Sequence, residues 1–186
     1  MQVKAYYNKI ADKYRNQYKV DDYYFNIITS RLDFIDKRIL DMGCGYGKFT
    51  KLLNNYSNKV VGIDFSRKMI NNRIVPNCYL ADMTDTKYYE ESFDIITAIG
   101  SMEYHDSVCK VFKEANRLLK QGGYFIFNFH KKNLLVKLYR KLFKPHKFAY
   151  NYYQGQTLVN IGNTYKFMPI YIKDDRFMGL ICLQKL

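Results

Sequence analysis

Apolar residues along this chain fall into short continuous runs bounded by turn residues, with stretches of helical spacing between them. Five runs have the length and composition of buried strands: residues 38–42, 59–63, 77–81, 94–99 and 124–129. Residues 21–35 begin with acids and carry apolar positions at helical spacing. A helix is expected through 49–53 after a glycine-rich turn, and Ser66 is placed to cap another over 67–73. Residues 106–120 read as a long amphipathic helix, stopped by Gln121, Gly122 and Gly123. Strand runs alternating with helices predict βαβ units around a parallel sheet.

After His130 the rhythm changes. Apolar residues at 134, 135, 138, 139, 142 and 143 form one stripe with Lys and Arg opposite, and Pro145 ends it. Residues 148–186 are Tyr-rich and read as short strands: QTLVNI, a Gly-Asn turn, TYKFMPIYI, an Asp-Asp turn and RFMGLICLQ. No repeat or linker interrupts the pattern, and 186 residues make one domain, 1–186.

Composition narrows the class. The chain is 48% hydrophobic and 25% charged, with Gly 10 and Pro 3, which excludes disordered and collagen-like chains. No apolar stretch is long enough to span a membrane, and the N-terminus has no secretory core. Cys44, Cys78, Cys109 and Cys182 lie far apart without a CxxC pair, against a zinc site or disulfide framework and in keeping with a cytoplasmic protein.

Charge is uneven: the net +13 is carried mostly by a block with no acid between Glu114 and Asp174, where Arg117, Lys120, Lys131, Lys132, Lys137, Arg140, Lys141, Lys144, Lys147, Lys166 and Lys173 stand. Such a one-signed segment suits RNA or an anionic membrane surface, and equally a solvated face.

The strongest chemical signal is ILDMGCGYGKF, residues 39–49. Asp41 ends a strand, and Gly43, Gly45 and Gly47 let the backbone turn tightly and approach a ligand where a Cβ would clash. Asp64 follows Gly43 by 21 positions at the end of the second strand, where a carboxylate accepts both hydroxyls of a ribose. The spacing is GxGxG rather than GxGxxG, and an acid precedes it. That acid repels a pyrophosphate and attracts an ammonium, so the ligand expected is an adenosine with a cationic amino-acid tail, as in S-adenosylmethionine. A third acid, Asp82, follows the third strand, where it can accept from an adenine amino group.

These residues resemble the class I S-adenosylmethionine-dependent methyltransferases, near the small-molecule and quinone-ring types. YYNKIADKY is similar to that group's N-terminal helix, DMGCGYG to its first motif, VVGIDFS to its second and LADMTD to its adenine-site motif. FDIITAIGSMEYH and EANRLLKQGGYFIF resemble its fourth strand and fifth-strand entry, so the resemblance covers residues 1–130. It implies an α/β, Rossmann-like, doubly wound and mostly parallel sheet of about seven strands. One C-terminal strand would be antiparallel, with the C-terminal part abbreviated or meander-like. Residues 1–37 would form a helical cap, 38–130 the cofactor-binding core, and 131–186 a basic helix with the last strands.

The same resemblance implies site roles. Asp41 would face the methionine ammonium, with Gly43, Cys44 and Gly45 lining methionine and ribose by backbone contacts. Asp64 would hold the ribose hydroxyls, and Phe65 and Met69 would pack on the adenine. Asp82 and the Met83 backbone would read the adenine edge, Ile99 would lie beside the methionine, and Tyr14 would close over cofactor and substrate. Where relatives often carry Leu-Glu-His, this chain has Met102-Glu103-Tyr104, so Tyr104 takes the His position and His105 follows; Glu103, Tyr104 and His105 are the candidates for orienting or deprotonating an acceptor.

The expected reaction is in-line methyl transfer to a small-molecule, lipid or natural-product acceptor, with the basic helix over 131–144 as a lid that can rest on a membrane. The alternatives are RNA methylation through the basic segment 117–173 and a non-catalytic binding module. No Asn/Asp-Pro-Pro-Tyr and no Pro-Cys pair follows the fourth strand, which argues against base methylation on DNA.

Overall fold

Strand β1 (Ile39–Met42) is buried at every position, as a central strand covered on both faces must be. The computed structural model describes residues 2–17, 22–131 and 151–186. Around β1 stand β2 (Val60–Asp64), β3 (Cys78–Leu80), β4 (Phe93–Ala98), β5 (Leu119–His130), β6 (Phe167–Asp174) and β7 (Met178–Lys185). Their order is β3-β2-β1-β4-β5-β7-β6 in one seven-stranded sheet. β7 is antiparallel to β5 and β6, and the remaining pairs are parallel. The chain adopts the doubly wound, mostly parallel fold expected, with its antiparallel strand near the C-terminus.

Helices α1 (Gln2–Gln17), α2 (Asp22–Thr29), α3 (Lys48–Leu53), α4 (Arg67–Asn71), α5 (Val108–Leu118) and α6 (Gly155–Thr164) complete the described chain. Two apolar cores result, one on each sheet face. On the first, Phe112 of α5 meets Phe125 and Phe127 of β5 at ring separations of 5.4 Å and Phe167 of β6 at 6.2 Å. On the second, Phe25, Ile28 and Phe49 of α2 and α3 cover Ile39, Ile95 and Ile126.

One element is corrected. QTLVNI, expected as a short strand, lies inside α6. Its buried residues are Leu158, Val159 and Gly162, which is helical spacing, and tertiary packing overrides the β-branched preference. Gly162, expected in a turn, sits in the helix, where a Cβ would lie 2.8 Å from Leu183 Cδ1 and glycine lets α6 approach β7. Boundaries also shift: α5 stops at Leu118, and β5 begins at Leu119, paired with Phe93 before a register shift. The basic helix expected over 131–144 falls, apart from Lys131, outside the described residues.

The sequence EANRLL earns its place structurally. Glu114 Oε1 accepts from Thr86 N and Oγ1 at 3.0 and 2.8 Å. Arg117 grips both oxygens of the same carboxylate at 2.9 and 2.7 Å and donates to Tyr88 O. This clamp fixes the loop between β3 and β4 against α5.

Candidate functional site

β1 pairs with β2 on one side and β4 on the other, so the loops after β1 and β4 open a crevice between them, where ligands of such sheets bind. Gly43 and Gly45 in the first loop have φ of 76° and 58°. A Cβ on Gly43 would lie 2.2 Å from Ser101 Cβ, so only glycine lets the two loops meet. A Cβ on Gly45 would meet nothing within 4 Å, which leaves its face open as a cradle. Ser101 Oγ donates to Met42 O at 2.8 Å and ties the loops together.

The crevice holds two adjoining lobes, both bordered by Gly43, Asp64, Phe65, Met83, Ser101 and Tyr104. Asp82 and His105 complete the first lobe; Gly45, Met69 and Tyr7 complete the second. The mix of apolar walls with a carboxylate and a tyrosine suits a nucleoside.

Asp64 is 7% exposed, and its carboxylate accepts from Gly45 N at 3.0 Å and Ser66 N at 2.7 Å. Burial pushes its pKa up to about 6, against the lowering by those two amides. Asp41 lies deeper and does not border either lobe. Its oxygens accept from the hydroxyls of Thr50 at 2.7 Å and Thr97 at 3.0 Å, and burial raises it also to about 6. Two carboxylates thus sit beneath the turn in surroundings that disfavour their charge, a state that a cationic or hydroxyl-donating ligand relieves.

The other expected residues separate. Cys44 and Ile99 stay out of the lobes, Cys44 buried beneath the turn and Ile99 packed on the second core. Tyr14 lies on α1, and its side chain is outside the described residues. His105 Nε2 lies 3.5 Å from Asp82 Oδ1, and its Nδ1 accepts from Ser107 N at 3.2 Å, so both ring nitrogens are engaged. Glu103 is buried and does not reach either lobe; its Oε1 is 3.5 Å from His130 Nε2.

Three residues were not singled out from sequence. Tyr7 of α1 borders the second lobe and stacks edge-on against Tyr104, ring centres 5.2 Å apart. His130, ending β5, and Tyr153 flank Glu103. Tyr153 N donates to His130 O at 3.1 Å, and burial followed by the Glu103 charge pushes the Tyr153 hydroxyl to about 12. Asn151 N donates to Glu103 O, and Asn151 Nδ2 to His105 O at 2.7 Å, so the segment entering α6 is laced to the loop after β4.

α1 is clasped over the site by its polar face. Asn8 Oδ1 accepts from Ser66 Oγ at 2.7 Å and from Lys68 N at 3.2 Å, while Asp12 accepts from Asn72 at 2.7 Å. Ser66 also caps α4, accepting from Met69 N at 3.3 Å. Ser66→Ala removes cap and clasp together and is expected to destabilise the fold by about 1–2 kcal/mol in denaturant titration.

Comparison with known proteins places this geometry. A methyltransferase domain family matches residues 40–127, the span from β1 into β5 that builds the crevice. The chain is 34% identical over 137 residues to an uncharacterised protein of Methanocaldococcus jannaschii, a match taking in 68% of this chain and 51% of that one. It is 31% identical over 127 residues to a malonyl-(acyl-carrier protein) O-methyltransferase of Buchnera aphidicola, covering 66% and 51% respectively. The chain therefore spans about half the length of the curated relatives it matches. In fold it resembles the magnesium protoporphyrin IX methyltransferase of Synechocystis with bound S-adenosylhomocysteine, with a TM-score of 0.77 over 99% of this chain and 98% of that one at 14% identity. The span from β1 into β5 is a methyltransferase domain, and the sheet that holds it has the fold of the class I S-adenosylmethionine-dependent methyltransferases.

Proposed function

We propose that the chain transfers a methyl group from S-adenosylmethionine to an oxygen of a small-molecule, lipid or natural-product acceptor. The observation that carries this reading is the open cradle at Gly45 set directly against the buried Asp64 carboxylate. Asp64 holds the two ribose hydroxyls; Phe65 and Met69 pack against the adenine. Asp82, steadied by His105, accepts from the adenine amino group beside the Met83 backbone. Asp41 sits under the turn as a negative charge that draws the methionine ammonium, and Gly43, Cys44 and Gly45 present backbone to that tail. When bound, S-adenosylmethionine supplies an electrophilic methyl on a sulfonium, so the protein's task is to align the acceptor and exclude water.

Of the three residues expected on the acceptor side, Tyr104 borders both lobes and His105 one, which supports Tyr104 as the group that orients an acceptor hydroxyl. Glu103, held to His130, supports the loop from behind. Oxygen as the acceptor atom is favoured by the relatives named for O-methylation of malonyl-(acyl-carrier protein) and in ubiquinone biosynthesis.

Methyl-labelled cofactor incubated with fractionated host extract tests the assignment. Label in a small-molecule or lipid fraction, released by mild base if the product is an ester, is the expected result. Label in RNA, or in protein side chains rather than on a carrier-bound acyl group, overturns the acceptor class, and no label with intact S-adenosylhomocysteine binding makes the chain a binding module.

A further inference from the structure

Two cysteines converge beneath the glycine turn. Cys78 opens β3 in register with Gly62 of β2, and Cys44 stands between Gly43 and Gly45. With Ile70 and Val75 they form one buried cluster. A Cβ built on Gly62 would lie 2.7 Å from Cys78 Sγ and 3.0 Å from Cys44 Cβ, so both side chains crowd the spot that this glycine leaves empty. A Cβ on Gly47 would lie 2.8 Å from the same Cys78 Sγ, which places the thiol against the far end of the turn as well.

We propose that Cys44 and Cys78 are a redox modification site whose closure to an intrachain disulfide disables the cofactor cleft. The loss of binding rests on the function proposed above; the disulfide does not. The oxidant is a peroxide. Cys78 is the sulfur that reacts first, because the Cys44 thiol beside it lowers the Cys78 pKa, while the same contact and then burial hold Cys44 protonated. The Cys78 thiolate attacks one peroxide oxygen, the O–O bond breaks, and the departing hydroxide takes a proton to leave as water. Cys44 sulfur then attacks the Cys78 sulfenic sulfur, the S–O bond breaks, and the Cys44 proton leaves with that hydroxide as a second water. The two sulfurs lose two electrons and the peroxide gains them.

A disulfide brings the sulfurs to about 2.05 Å, well inside the contact distance of two thiols. Cys44 is chained between two glycines of positive φ, so the shift passes straight into the turn. There, Gly45 N donates to Asp64 Oδ2 and Cys44 N to Ile63 O, the bonds that set the cradle against the carboxylate.

The test uses the whole chain in a Cys109→Ser background, which removes the exposed thiol. The protein is treated with a modest excess of hydrogen peroxide, peptide-mapped without reduction, and titrated with S-adenosylhomocysteine before, after and following dithiothreitol. The expected results are a linked Cys44–Cys78 peptide, affinity lowered about ten-fold or more, and recovery on reduction. Cys78→Ala and Cys78→Ser, either of which suffices if the other misfolds, should bind when reduced and keep that affinity after peroxide. Absence of the linked peptide overturns the site. A linked peptide with unchanged affinity, or equal loss in the Cys78 variants, overturns its effect on the cleft. If the reduced protein binds no S-adenosylhomocysteine, the function proposed above fails, and the peptide map still decides the disulfide.

Discussion

Asp64→Ala is expected to weaken S-adenosylhomocysteine binding about a hundred-fold in calorimetric titration, with the fold retained. Hydrogen bonds from two ribose hydroxyls to a charged acceptor contribute about 1.5–3 kcal/mol each, and water entering the vacated space returns only part of that. The same carboxylate also receives Gly45 N and Ser66 N, so its removal loosens the cradle along with the ribose contact. Asp64→Asn keeps the shape and one acceptor oxygen, and should fall between alanine and the parent. An Asp64→Ala protein with unchanged affinity would place the ribose somewhere else.

Acidification should act on the same contacts without any substitution. Asp41 and Asp64 both have their pKa raised by burial to about 6 in the free protein. Ligand binding needs both carboxylates ionised, one facing an ammonium and one accepting hydroxyls. From pH 7 to pH 5 the affinity is therefore expected to fall about ten-fold if one group must lose its proton on binding, and about a hundred-fold if both must. The sign for folding is opposite. A carboxyl whose folded pKa exceeds its unfolded value lends stability that is complete below the unfolded value of 3.8 and is lost as pH rises through about 6. Ligand-induced thermal stabilisation should accordingly appear above pH about 6 and fade below it. Thr97→Val, which deletes one donor to Asp41, should move the decline to higher pH. Affinity that stays flat from pH 7 to 5 would remove both carboxylates from the binding site.

Much of this was legible in the residues because the signals are local. Continuous apolar runs mark β1, β2, β4 and β5, since a strand covered on both faces has no polar alternation to obscure it, and β3 is apolar although it lies at the edge with Tyr79 and Leu80 exposed. The glycine turn and Asp64 are bound to one strand-turn-helix unit and its neighbour, so their spacing alone brings them together. Tyr7 was also within reach: Val3, Tyr6, Tyr7, Ile10 and Ala11 share one helical stripe, and the structure packs that stripe onto Tyr46 and Met69. The group of Glu103, His130 and Tyr153 was not legible, because it joins the ends of β4 and β5 to a segment entering α6 and no local spacing encodes that meeting. QTLVNI was misread for a related reason. Its β-branched preference is intrinsic to the segment, whereas its helical burial is dictated by Leu183 and Phe112, far away in the chain.

The outermost strands of the sheet carry a consequence for how the molecule behaves among its own copies. An unpaired strand is a template onto which another chain can add. β6 is the more exposed of the two, showing Met168, Ile170 and Ile172 to solvent over eight residues. It also contains Pro169, which has no amide hydrogen to offer, and its pairing with β7 slips register between Pro169 and Tyr171. A newcomer strand thus finds a missing donor and a break in spacing in the middle of the longer edge strand among the described residues. β3, at the opposite edge, offers only three residues. Apolar side chains can remain on the border of this sheet because the backbone beneath them is a poor seed for cross-β growth.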